Sequence, residues 1–154
     1  MVLFDFENGL AADGRWNGVG QESEEADFGK FYEVANSAEN YWWFAENWMA
    51  HPTVSGKSDY VVKAEIRLRT DIPVQTAEVR FFFNGVAVNI LPYLEVGGVW
   101  TTGGDWKTIT IELDAWAGLS DPTPASGAEW GMTTWQNSVD FTGFCVDNIR
   151  YEHK

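Results

Sequence analysis

Four stretches of this chain alternate apolar and polar side chains with a period of two, the pattern of strands with one dry and one wet face. Residues 2–7 (VLFDFE) set Val2, Phe4 and Phe6 against Leu3, Asp5 and Glu7. Residues 60–69 (YVVKAEIRLR) place Tyr60, Val62, Ala64, Ile66 and Leu68 on one face and Lys63, Glu65 and Arg67 on the other. Residues 77–85 (AEVRFFFNG) send Val79, Phe81 and Phe83 inward and leave Glu78, Arg80 and Phe82 outward. Residues 106–116 (WKTITIELDAW) bury Ile109, Ile111 and Leu113 opposite Thr108, Thr110 and Glu112, and the chain closes on the strand FCVDNIRYE, 144–152. Gly, Pro and Asn punctuate these runs, so the pattern predicts an all-β sandwich or barrel, not βαβ units.

Between the strands lie predicted loops. Residues 8–29, with the acidic run ESEEAD at 22–27, read as a solvated loop; VGGVWTTGGD at 96–105 is Gly-rich but holds Trp100; LSDPTPASG at 119–127 is a surface connection. Residues 30–51 contain neither Gly nor Pro, and Val34, Ala38, Tyr41, Ala45 and Trp48 recur at helical spacing. Trp42, Trp43 and Phe44 fill the other faces of that helix, and Tyr, Trp, Phe and Asn are mediocre helix formers. The reading is therefore a strand at KFYEVA, a turn at NSAEN and a strand at YWWFAE. With no repeat and no linker, the 154 residues form one domain.

Composition narrows the function. The chain carries 23 Asp and Glu against 10 Lys and Arg, a formal net charge of −13. Nucleic acid is bound through Lys and Arg on phosphates, so no nucleic-acid partner is expected, and anionic membranes and polysaccharides are disfavoured for the same reason. No apolar run is long enough to cross a membrane. The lone Cys145 sits in an apolar run and reads as a small buried hydrophobe. Met1 leads straight into VLFDFE without a basic segment, so the expectation is either a cytoplasmic protein or a domain excised from a longer one.

Catalytic sets are poor. Two histidines, His51 and His153, give no metal or triad constellation. Glu65 and Glu78 could sit on adjacent strands and face the same side, but Lys63, Arg67 and Arg80 share that side. No two acids sit two apart on a strand within an aromatic cleft, the arrangement small β-sandwich glycanases show, so a glycoside hydrolase or lyase is the alternative reading only. A structural calcium ion is a candidate where the terminal strands pair, with Glu7 and Asp147 as carboxylate ligands beside Asp5 and Asn148; no cofactor is otherwise required.

The nine tryptophans remain. Sugar rings offer C–H faces on which Trp and Tyr stack, with hydroxyls left for nearby polar groups. YWWFAENW, 41–48, and NILPYLEVGGVW, 89–100, interleave rings with such groups, making Trp42, Trp43, Trp48, Arg80, Asn89, Tyr93 and Trp100 the carbohydrate-binding candidates, with Phe82 beside Arg80 as floor. Alternation puts one of Trp42 and Trp43 in and one out without deciding which. Trp16, Trp116 and Trp130 read as packing residues, and Trp106 as a cap on the core.

FDFENG, GDWKTITIELD and the closing FCVDNIRY together resemble jelly-roll carbohydrate-binding modules. With YWWF, FFFNG and ILPY between them, their order is similar to the C-terminal glycan-binding domain of surface glycan-binding proteins from Bacteroidetes polysaccharide-utilisation loci. The resemblance implies a jelly-roll β-sandwich of two antiparallel sheets, monomeric and non-catalytic, excised from an outer-membrane lipoprotein that holds a polysaccharide near enzymes and a transporter. Its binding rings would fall on Trp42 or Trp43, Trp48, Tyr93 and Trp100. Tyr93 stands where the family pattern often has Trp, so ligand choice need not carry over. Acidity favours neutral chains, such as β-glucans, xyloglucan or mannans, over uronates.

Overall fold

Three of the four alternating stretches fold as their pattern requires, and the interior of the protein is built from their apolar faces. The computed structural model describes residues 1–7, 15–17, 20–35, 42–47, 53–124, 129–135 and 139–154. Its strands in chain order are β1 (Val2–Phe4), β2 (Arg15–Asn17), β3 (Gly20–Glu25), β4 (Gly29–Val34), β5 (Trp42–Asn47), β6 (Tyr60–Leu68) and β7 (Ile72–Pro73). They continue as β8 (Glu78–Phe83), β9 (Val86–Asn89), β10 (Glu95–Val96), β11 (Val99–Trp100), β12 (Lys107–Glu112), β13 (Glu129–Trp135) and β14 (Phe144–His153). One sheet runs β12-β6-β14-β4-β3, with β1 added along β14; the second runs β2-β5-β13-β8-β9. A small third sheet, β10-β11-β7, closes one end. All pairings are antiparallel.

The chain passes repeatedly between the two large sheets, from β4 to β5, back to β6, over to β8, back to β12, over to β13 and home to β14. This is the connectivity of a jelly-roll sandwich. Ala64, Ile66 and Leu68 of β6, Ile109 and Ile111 of β12, and Val146 of β14 face Val79, Phe81 and Phe83 of β8 and Met132 of β13 in one core. Trp116 plugs that core, fully buried, with its indole N–H donated to the Phe81 carbonyl at 3.1 Å. The β8–β9 hairpin turns on Asn84 and Gly85, both at positive φ (47° and 85°), the two-residue turn whose twist matches its strands.

Two local shifts break the alternation. In β14 the register slips between Asp147 and Arg150, where Asn148 takes φ 46°. That extra residue turns Ile149 and Tyr151 into the core after Phe144 and Val146. Asn tolerates the left-handed region better than other non-glycine residues. In β1, Leu3, on the face expected to point outward, is buried, and beyond the strand Phe6 is buried at φ 53°.

The acidic run 22–27 is strand up to Glu25 and turns at Ala26 and Asp27, so only its end is the expected loop. Residues 20–25 form edge strand β3, paired residue for residue with β4, and its charged side chains suit an exposed sheet edge. Residues 30–51 take the two-strand reading: β4 and β5 occupy opposite sheets. The segment 96–105 also holds a short hairpin, β10–β11, turning on Gly97 and Gly98 at φ 60° and 85°.

Candidate functional site

The outer faces of the two large sheets differ in kind. On the six-stranded sheet the charges neutralise one another: Arg150 reaches Glu65 at 3.0 Å and Glu152 at 2.7 Å, Lys63 reaches Glu152 at 2.5 Å, and Arg67 grips both oxygens of Glu25 at 2.7 Å. Arg69 holds Glu33 at 2.6 Å and keeps its carboxyl below the usual range, with the Ser23 hydroxyl assisting. Beside them Trp106 stacks face to face on Phe28 (centroids 4.1 Å apart, planes 3° apart) and meets Phe31 edge-on. The expectation that Trp106 caps the core is thereby corrected, because its aromatic partners lie outside the main cluster.

The outer face of the five-stranded sheet carries rings and small residues instead. Register sets out three rows across its strands. Trp135 of β13 stands opposite Glu78 of β8. The next row holds Trp42 of β5, Thr133 of β13, Arg80 of β8 and Asn89 of β9. The third holds Trp16, Ala45, Gly131, Phe82 and Ala87. In this row Gly131 is buried, and Phe82 and Ala87 are half-buried.

Trp135 is 42% exposed, the largest exposure among the tryptophans whose side chains are described. The Arg80 guanidinium lies 4.5 Å from its ring centroid, and Arg80 is itself tied to Glu78 at 2.6 Å. A cation–π contact of this kind, anchored by a carboxylate, fixes the plane of the indole while leaving ring surface to solvent. Sequence reasoning missed Trp135 altogether. The signal was in EWGMTTW, where Met132 and Thr134 are buried while Thr133 and Trp135 reach outward.

The residues expected from sequence are placed differently. Trp43 is fully enclosed and packed on Phe144 (4.8 Å) and Phe141 (5.9 Å), so it offers no face to a ligand. The cause is a register shift beside it that turns Trp43 and Phe44 inward in succession. Trp100 is also a core residue, 3% exposed, tilted against Phe141. The Gly97–Gly98 turn folds it back beneath the small sheet. Tyr93 is 36% exposed, but its carbonyl accepts from Lys107 of β12 at 3.0 Å, at the edge of the other large sheet. Asn89 shares a row with Arg80, yet its side-chain oxygen accepts from the Val79 and Leu91 amides, both at 3.2 Å, and so holds the end of β9. Trp48 lies outside the described residues, and Trp42 is placed by backbone register alone.

Glu65 and Glu78 fall on opposite sheets, which removes the proposed acid pair. The terminal strands β1 and β14 do pair. Glu7 accepts the Lys30 amide at 3.2 Å, while Asp147 is 5% exposed and its Oδ1 has no partner among the described residues. No three His, Cys, Asp or Glu side chains among the described residues converge closely enough to hold a metal ion. Burial lifts the Asp147 carboxyl from 3.8 to about 7, against the bond from the Asn148 amide, with Glu7, Asp5 and Glu65 adding repulsion. A carboxyl raised in the folded state stabilises it when protonated; the contribution is full below about pH 4 and lost as pH rises through 7. Asp147→Asn is therefore expected to be more stable than the wild type at pH 8, by on the order of a few kcal/mol, with the gap closing by pH 4. Urea unfolding at the two pH values checks this; a gap independent of pH would show that Asp147 titrates normally.

The model of the surface glycan-binding protein B xyloglucan binding domain matches residues 1–152. No curated protein matches the chain by sequence. Among solved structures, an SGBP-B from a complex xyloglucan utilization locus of Bacteroides uniformis is similar at 21% identity and TM-score 0.58, over 99% of this chain and 49% of that one. A protein solved with a xylogluco-oligosaccharide aligns at 18% identity and TM-score 0.64, over 99% of this chain and 39% of that one. CBM28, a module described as specific for non-crystalline cellulose, aligns at 16% identity and TM-score 0.53, over 98% of this chain and 94% of that one. The chain thus spans half or less of the first two of these proteins.

Proposed function

This chain belongs to the surface glycan-binding protein B xyloglucan binding domain family, a family of non-catalytic carbohydrate-binding domains, and from that premise we propose that it holds a neutral β-glucan, xyloglucan foremost, on the outer face of its five-stranded sheet. The observation that carries this reading is the contrast between the two outer faces. One is filled by paired charges; the other presents Trp135 braced by Arg80, with Phe82 two register rows away along the strands. In this reading Trp135 stacks on a sugar ring, Arg80 and Glu78 meet hydroxyls, and Trp42, in the row of Thr133 and Arg80, is the second stacking residue. A net charge of −13 disfavours uronate chains. The domain would serve as the glycan-holding part of a longer protein displayed at the cell surface.

Affinity electrophoresis against xyloglucan, mixed-linkage glucan, laminarin, mannan and alginate tests the proposal. Xyloglucan is expected to retard the protein and alginate to leave its mobility unchanged. Retardation by alginate alone, or by none of the five, would reject it.

A further inference from the structure

Among the side chains described on the outer face of the five-stranded sheet, the ionisable ones are Glu78 and Arg80, and both stand directly beside the exposed indole. Glu78 is the register partner of Trp135, one strand spacing away, about 4.8 Å. The Arg80 guanidinium lies 4.5 Å from the Trp135 ring centroid, and its Nε donates to Glu78 Oε2 at 2.6 Å. That bond uses one of the five N–H groups of a guanidinium. The two Nη groups have no hydrogen-bond partner among the described residues, and the side chain is 30% exposed. Free, planar N–H donors of this kind grip a carboxylate through two parallel bonds. Without Glu78, the surroundings of Trp135 would therefore suit an acidic sugar.

The acidity of the whole chain does not settle the matter at this range. Exposed charges further apart than about 8 Å are largely screened at physiological ionic strength. Arg80 lies well inside that distance from the ring, and the charge that answers it is the carboxylate in contact with it. A part-exposed pair adds little to folding stability, so its main consequence is electrostatic. The net charge of −13 slows the approach of an acidic chain; Glu78 decides whether one is held.

Resting on the proposed stacking of a sugar on Trp135, we infer that Glu78 is a specificity-determining residue: it neutralises Arg80 and so bars uronates from a ring that would otherwise accept them. A sugar carboxylate must displace Glu78 from Arg80 or lie against it, with repulsion in either case. A neutral hydroxyl meets the pair without that penalty, because it accepts from an Nη group or donates to the carboxylate.

Calorimetric titration tests this with a xylogluco-oligosaccharide and with the same oligosaccharide whose free primary hydroxyls have been oxidised to carboxylates. The wild type is expected to bind the oxidised ligand at least tenfold more weakly. Glu78→Gln keeps the side-chain size and an acceptor for Arg80 Nε but removes the charge. It is expected to narrow the ratio of the two affinities at least tenfold, the contribution of one charge-assisted hydrogen bond. Adding Arg80→Gln to that variant is expected to abolish the gain, which ties it to the guanidinium and not to the loss of one negative charge. Reading the ratio cancels any contact common to both ligands, and melting curves identify loss of folding. Equal wild-type affinities, a wild-type ratio in folded Glu78→Gln, or a gain that survives loss of Arg80 overturns the inference and leaves the platform standing. So does loss of both ligands by folded Glu78→Gln, which would make Glu78 a general contact. Failure of the wild type to bind the neutral oligosaccharide overturns the platform itself.

Discussion

Trp43→Ala is expected to lower the free energy of unfolding by about 3–5 kcal/mol, the range for removing a buried large aromatic. Trp43 is fully enclosed, and its ring touches Phe144 and Phe141 on the far side of the core. Its own carbonyl accepts the buried Tyr32 hydroxyl at 2.5 Å, which links β4 to β5 across the two sheets. Truncation leaves a cavity walled by rings that cannot all close upon it. Domains of this size are stable by about 5–15 kcal/mol, so the loss is a large share of the total. Chemical denaturation measures it directly; a change below about 1 kcal/mol would mean that the indole is not a core element.

Trp135→Ala is expected to do the reverse. It should weaken binding of a xylogluco-oligosaccharide by about 2 kcal/mol, roughly thirtyfold in Kd, the scale of an aromatic hot spot. Its cost in stability should not exceed about 1 kcal/mol, the size of the exposed contact with Arg80. The ring is 42% exposed at the end of β13, and its principal partner is a guanidinium that Glu78 continues to hold. Calorimetry and a melting curve on one preparation separate the two effects. Unfolding without an affinity change would assign Trp135 to packing.

These two tryptophans show what was legible in the sequence. Strands 60–68, 78–83 and 107–112 were readable because one face of each is wet, and a period of two then marks both strand and side. Edge strand β3 was not, because neither of its faces is apolar and only its pairing with β4 makes it a strand. Trp43 escaped the alternation rule through a register shift that places it and Phe44 inward together. Trp100 looked exposed because glycines surround it, yet those glycines fold it against Phe141.

The contact of Arg80 with Trp135 was hidden for a different reason. Arg80, named from sequence, meets Trp135 from a strand more than fifty residues away, and their contact exists only because β8 and β13 pair in one register. Loop-borne rings are the visible signal of a sugar site, and here the described loops supply less of it than the sheet does. Asn89 instead holds the end of β9, and Tyr93, 36% exposed, stands at the edge of the other large sheet.

The most direct test of the central claim is to map backbone amide chemical shifts while titrating the protein with a xylogluco-oligosaccharide. The largest changes are predicted at residues 78–83, 86–89 and 131–135, with the outward positions of β6, β12 and β14 silent. Changes concentrated on the charged sheet, at residues 63–67 and 147–152, would contradict it.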